Sequence, residues 1–208
     1  AQDYETEDRF LVLVPEFGAA IPLGDFGTLE TGDWRFDAGS AEPGFAAGLA
    51  LEFYARPGVA VGAGLQYTRF GFDTGDFEKD EPDYDWSGHW DWLAPRLYLK
   101  GILGEVGEQY LFVRGGLTRA RPKATIEAIP DDVSAGPTEL AVDLDLESAF
   151  GFELAAGVLF PRNDIVAVSL EATYLTLLTD GDTATLEGGE DQRLVDEVDM
   201  NLSWLQIK

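Results

Sequence analysis

The sequence contains no cysteine, and it has one histidine and one methionine among 208 residues. Without cysteine, the chain has neither a disulfide framework nor a thiolate metal site. No apolar run is long enough to form a membrane-spanning helix. Basic residues are also scarce, since 14 Lys and Arg stand against 39 Asp and Glu and give a net charge of −25. This excess of acid argues against nucleic-acid binding, which needs a basic surface. It also means that an anionic membrane surface would repel the chain unless cations intervene.

The segment 140–160, LAVDLDLESAFGFELAAGVLF, alternates between bulky apolar residues and acids or small residues. Successive side chains of a strand point to opposite faces, so the pattern predicts one long strand with an apolar face and a face of acidic and small residues. At about 3.3 Å per residue, this strand would cross an apolar bilayer core of about 30 Å even when tilted. We therefore expect the apolar residues from Leu140 to Phe160 to face lipid, with Leu140 and Val142 rising above it, and Glu147 and Glu153 to face an interior.

Other segments repeat the alternation, at 10–22, 44–54, 59–70, 90–103, 110–121, 165–179 and 198–204. The connections alternate between short ones at 55–58, 104–108 and 161–164 and long ones at 24–42, 73–88, 126–139 and 180–196. Together these patterns predict an all-β fold: a single-domain antiparallel up-and-down transmembrane β-barrel of about eight strands over residues 1–208. A soluble barrel of the lipocalin kind would place the bulky face inside, but eight strands leave little interior room. The face rich in Gly and Ala fits that narrow interior better.

Four phrases resemble the small outer-membrane β-barrels of the OmpA, OmpX and OmpW kind, within the porin superfamily. They are FGAAIPLGDFG (17–27), PGFAAGLALEFYARPGVAVGAGLQY (43–67), WLAPRLYLKGIL (92–103) and FELAAGVLFPRND (152–164). The resemblance covers nearly the whole chain and implies a bacterial outer-membrane location, with the loops extracellular and the termini periplasmic. Its expected partners are outer-membrane lipid and lipopolysaccharide, and other membrane or cell-surface proteins. Chains of this kind usually end in an aromatic residue, whereas this one ends Trp204-Leu205-Gln206-Ile207-Lys208.

Charged residues fall on the face of small residues in several of these segments. Unpaired charges away from water cost several kcal/mol each, so they should form an ion-pair network that plugs the lumen. The alternative is a small polar pore or proton path. The predicted members of the network are Glu16, Glu52, Arg96, Lys100, Arg114, Glu147, Glu153 and Glu171.

Acidic residues crowd two of the long connections, 73–91 and 180–197. Ca²⁺ takes several oxygen ligands at one centre, and Asp180 and Asp182 are weak candidates for such a site because the spacing is not that of an EF-hand. A solvated acidic surface is the simpler interpretation. The sequence predicts no other metal and no cofactor.

Aromatic residues gather at the two ends of the predicted barrel. Trp34, Trp86, Trp90 and Trp92 belong to the end with the long connections, and Trp204 to the other end. Interfacial belts at headgroup depth would explain them, and exposed tryptophans that dock a protein partner are the alternative.

The one histidine, His89, lies between Ser87 and Asp91 on alternate positions of a single stretch. A nucleophile must come within about 3.2 Å of its base, while i, i+2 neighbours on a strand begin about 7 Å apart. We therefore predict no enzyme and keep a Ser87/His89 lipid hydrolase as an alternative. The predicted function is a structural, adhesive or partner-binding outer-membrane barrel with acidic, aromatic-rich extracellular loops. The other candidates are a narrow channel for ions or small apolar solutes and an accessory subunit of a membrane complex.

Overall fold

Twelve β-strands make up the regular structure of a computed structural model of the chain, counted over the residues that it describes. These are residues 10–23, 41–72, 84–130, 140–146, 148–163, 166–178, 182–188, 191–198 and 202–208. In this part of the chain, no helix is long and apolar enough to span a membrane. The strands are β1 (Phe10–Pro22), β2 (Ala41–Arg56), β3 (Val59–Phe72), β4 (Tyr84–Val106), β5 (Gln109–Ala120), β6 (Lys123–Pro130), β7 (Leu140–Leu146), β8 (Ala149–Pro161), β9 (Ala167–Leu178), β10 (Asp182–Gly188), β11 (Asp191–Val198) and β12 (Leu202–Ile207).

Eight of these strands close into an antiparallel barrel in the order β1-β2-β3-β4-β5-β8-β9-β12. The ring closes where Ala19 to Pro22 of β1 pair with Ile207 to Trp204 of β12. On its other side β12 pairs with β9, which places Leu202 opposite Leu177. The structure therefore has the predicted all-β, eight-stranded barrel.

Two tight turns at one end of the barrel depend on glycine. Gly58 joins β2 to β3 with a φ of 76°, and Gly107 joins β4 to β5 with a φ of 69°. Residues with a Cβ avoid this left-handed region, whereas glycine adopts it readily. These turns and the short connection after β8 define the short-turn end of the barrel.

The opposite end carries an extension that the alternation of the sequence did not predict. The upper part of β4 pairs with β6, and the sheet continues through β7 and β10 to β11. The predicted loops at 126–139 and 180–196 therefore contain strands. These strands prolong one side of the barrel wall beyond the ends of β1, β2 and β3.

The segment 140–160 forms two strands rather than one. β7 pairs with β6, and β8 pairs with β5 and β9. Leu146 is 2 % exposed, whereas Phe150 is 62 % exposed. The apolar face thus turns from the interior to the outer wall between these residues. The expectation that the apolar residues of this segment face lipid is wrong at Leu146.

The outer wall of the barrel is a continuous apolar surface. On β4, exposed leucines at alternate positions run from Leu93 to Leu103, interrupted by Pro95 and Gly101. That stretch rises about 33 Å, and a tilt of about 40° reduces it to about 25 Å, the height of the apolar band on membrane barrels. The same band contains Leu11, Leu13, Phe17, Leu49, Leu51, Leu65, Leu117, Phe150, Leu154 and Leu170.

Candidate functional site

The polar groups of the barrel interior come from the alternate residues of each strand. On β4, Arg96, Tyr98 and Lys100 are buried, while Leu97 and Leu99 between them are exposed on the outer wall. A narrow interior concentrates such side chains, because eight strands leave space only for the side chains themselves. The candidate functional site is therefore the lumen.

A central cluster of ion pairs crosses the middle of the lumen. Arg96 contacts Glu16 through Nη2, and its Nη1 lies 3.6 Å from Oε2 of Glu153. Arg114 is shared among three carboxylates: Nη1 lies 3.3 Å from Glu16, Nε 3.3 Å from Glu153 and Nη2 2.8 Å from Glu171. A guanidinium has five N–H donors in a planar fork, which suits it to this bridging position.

Lys208 completes the central cluster, although it was not among the predicted members of the network. Its Nζ donates to Oε2 of Glu16 at 2.9 Å and to Oε1 of Gln66 at 3.0 Å, and it lies 3.7 Å from Glu171. The sequence signal was available in the alternation of β12, because Gln206 is also buried and points inward. Central cluster below means Glu16, Arg96, Arg114, Glu153, Glu171 and Lys208.

A second group, the lower cluster, lies nearer the short-turn end. Nζ of Lys100 donates to both carboxylate oxygens of Glu52 at 3.1 Å. The hydroxyls of Tyr98 and Tyr54 also donate to Glu52, at 3.1 and 3.0 Å. The ammonium of Lys100 lies 4.6 Å from the ring centroid of Phe112, within the range of a cation–π contact.

The interior charges balance. Among the described residues, the buried ion pairs join four carboxylates to four cations. Seven of the eight predicted members lie in these two clusters, and Glu147 lies outside the described residues. Burying a charge without a partner is costly, so a neutral and mutually paired set is the arrangement that a narrow lumen can hold.

Two glycines allow the lower part of the lumen to fill with rings. A Cβ added at Gly62 would overlap the ring of Tyr98, and one added at Gly157 would overlap that of Phe112. Both rings are buried. Small residues on one strand thus face large residues on the next, which explains why the inner face of the barrel is rich in glycine.

An aromatic layer fills the lumen toward the extension. It consists of Phe70, Phe72, Trp90, Trp92 and Trp204. The ring centroids of Trp92 and Trp204 lie 5.0 Å apart in an edge-on arrangement, and Phe70 lies 5.5 and 6.0 Å from them. Edge-to-face pairs at such distances are favourable beyond their buried area.

This layer corrects the predicted role of three tryptophans. Trp90, Trp92 and Trp204 are almost fully buried inside the barrel, so they do not form an interfacial belt or an exposed docking patch. Trp204 is also at the other end from the one predicted, because it pairs with Pro22 where β1 reaches its long connection. Trp86 is half-buried beside the layer, and Trp34 lies outside the described residues.

The remaining candidates lie on the outside or beyond the described part of the chain. The described contact of His89 is with Asp91, at 3.4 Å, and Ser87 is exposed. Asp182 begins β10, but neither its side chain nor Asp180 is described. Among the described residues, no three acidic or histidine side chains converge as a metal site. Calcium binding at Asp180 and Asp182 therefore stays a prediction.

Comparison with known proteins gives a likeness of fold. No family model matches the sequence, and no curated protein matches it. The structure is similar to that of a major outer membrane protein from Thermus thermophilus, with a TM-score of 0.56 and 12% sequence identity. The match covers 93% of this chain and 97% of the other. At this level of identity the likeness shows a shared fold.

Proposed function

We propose that this protein is an integral outer-membrane barrel with a structural role. Its apolar wall anchors it in the membrane, and the side chains that fill its lumen block the passage of ions. The apolar band supports the membrane placement, because a band of exposed leucine and phenylalanine side chains about 25 Å tall would be unfavourable in water. The fold likeness to an outer-membrane protein supports the same location.

One arrangement chiefly supports the closed lumen: all of its described charges are paired, and an aromatic layer covers them on the side of the extension. Arg114 lies 3.3 Å from Glu153 through Nε and 2.8 Å from Glu171 through Nη2. An ion entering the centre would have to displace Arg114 from both carboxylates. Breaking such a buried pair is strongly unfavourable. The rings of Trp92 and Trp204 close the same path toward the extension.

The extension supports a role in presenting surfaces outside the membrane. Strands β6, β7, β10 and β11 rise beyond the apolar band and enlarge the sheet on one side. In our proposal this end faces the cell exterior and meets a partner protein or a neighbouring cell surface. The short turns at Gly58 and Gly107 face the periplasm.

Conductance in a planar lipid bilayer tests the closed lumen. We expect the wild-type protein to give no stable openings above the bare membrane. A matched double variant, Arg96→Ala with Glu153→Ala, removes two long interior side chains without changing the net charge. We expect this variant to pass a measurable current, which would show that the assay detects an opened lumen. Stable wild-type openings would contradict the proposal and favour a narrow channel.

Native mass after mild detergent extraction tests whether the barrel acts alone. An isolated chain would run near 22.7 kDa plus bound detergent. A larger, stoichiometric assembly that persists on dilution would instead favour an accessory subunit of a membrane complex.

A further inference from the structure

Three cationic side chains occupy alternate positions on the outer wall where β5 passes into β6. Arg119 and Arg121 are exposed and Lys123 is half-buried, while Ala120 and Pro122 between them are buried. The alternation thus places all three cations on the outer face. At the rise of a strand, residues 119 to 123 cover about 13 Å. We call these three residues the basic column.

The basic column begins where the apolar band ends. Leu117, two residues before Arg119 on the same face, is 65 % exposed. The guanidinium of Arg119 lies 5.2 Å from the ring centroid of Phe150, another exposed member of the band. In a barrel embedded by that band, the column runs from the edge of the band, where Arg119 lies opposite Phe150, toward the lipid headgroups.

Arg119 keeps donors available for a ligand. Its Nε and Nη2 both donate to the hydroxyl of Ser148, at 3.2 and 2.7 Å, which fixes the guanidinium against the wall. Nη1 carries two further N–H groups, since a guanidinium has five in all. A fixed planar guanidinium on an exposed surface is well suited to a phosphate.

The neighbouring strands bring further charged residues to this surface. Asp91 lies opposite Lys123 and also opposite Arg69, an exposed cation on β3. Asp91 accepts a long hydrogen bond of 3.5 Å from Tyr67. Asp145 on β7 is the other cross-strand neighbour of Lys123. Among the described side chains at this level, the cations Arg69, Arg119, Arg121 and Lys123 therefore adjoin the acid Asp91, in a chain whose total charge is −25.

We infer that the basic column binds the phosphate group of a lipid headgroup in the outer leaflet. The inference builds on the membrane placement proposed above, and it adds a site and a ligand class to it. An acidic protein is repelled by anionic headgroups, so cations held at headgroup depth supply the local attraction that the rest of its surface lacks.

Lipid titration of the full chain in micelles of dodecyl maltoside, which carries no phosphate, tests the site, with bound lipid counted by native mass spectrometry. The probes are a diphosphorylated glucosamine lipid, the same lipid without its phosphates, and inorganic phosphate. The variant is Arg119→Gln with Arg121→Gln. The matched control is Arg56→Gln with Arg162→Gln, which removes two exposed arginines from the short-turn end.

We expect affinity for the diphosphorylated lipid to fall at least about ten-fold in the column variant and to stay unchanged in the control. The dephosphorylated lipid should bind wild type and column variant equally. Equal losses in both variants, or equal binding of both lipids to wild type, would overturn the site. Full displacement by millimolar inorganic phosphate would overturn the lipid as its ligand. None of these results bears on the closed lumen, which the conductance measurement tests separately.

Discussion

The ammonium of Lys208 lies 2.9 Å from Oε2 of Glu16, although the two residues are 192 positions apart in the chain. The contact lies beside the seam where β1 meets β12 and the barrel closes. Glu16 also pairs with Arg96 and Arg114. Replacing Glu16 therefore removes one carboxylate partner from each of three cations.

We therefore expect Glu16→Gln to lower the free energy of unfolding by about 3–5 kcal/mol, as for other broken buried ion pairs. The double variant Glu16→Gln with Lys208→Met removes one charge of each sign and should recover part of that loss. Urea unfolding in detergent micelles measures both. If the double variant lost as much stability as Glu16→Gln and Lys208→Met lose in sum when each is made alone, the result would contradict a charge-balanced interior.

Gly62 should not tolerate a methyl group. Its added Cβ would overlap the ring of Tyr98, which is held by the hydrogen bond to Glu52. We expect Gly62→Ala to cost about 1–3 kcal/mol, the usual range for overpacking. Gly101→Ala is the control, because a Cβ at that strand position meets nothing within 4 Å. Equal stability of the two variants in urea unfolding would argue against this packing.

Tryptophan emission should respond weakly to quenchers in the lipid chains. Trp90, Trp92 and Trp204 are enclosed by the barrel wall, so brominated lipid should not reach them. Phe150→Trp places an additional indole on the exposed apolar band and should add a strongly quenched component. Strong quenching of the wild type that disappears in Trp92→Phe would contradict the interior position.

The orientation of the barrel can be tested with introduced cysteines, because the chain has none of its own. We expect Ser87→Cys in the extension to react with a membrane-impermeant maleimide on intact cells. Glu108→Cys in a short turn should react only after the outer membrane is permeabilised. The reverse pattern of labelling would place the extension in the periplasm.

The alternation of the sequence predicted the barrel and most of its central charges for one physical reason. Where a strand has lipid outside and a narrow polar lumen inside, residue type alone assigns each side chain to a face. Glu16, Arg96, Arg114, Glu153 and Glu171 are all in such stretches, and the structure brings them together. Tyr98 shares the parity of Arg96 and Lys100, so its interior place was also encoded there.

The same rule fails where the interior itself is apolar. Leu146 was expected to face lipid and Trp204 to lie in an interfacial belt or docking patch, because both are large and hydrophobic, but they pack inside near the extension. Sequence alone cannot distinguish an apolar lumen from lipid, since both exclude water. The pairings that define the extension join strands distant in sequence, and local periodicity carries no information about them.

The distribution of the central cluster has a consequence for assembly. Glu16, Arg96, Arg114, Glu153 and Glu171 each come from a different strand of the barrel, and Lys208 follows β12. A barrel that lacked one of these strands would carry an incompletely paired charge into the hydrocarbon core, where no water compensates it. We therefore expect insertion into the membrane and closure of the ring to be coupled.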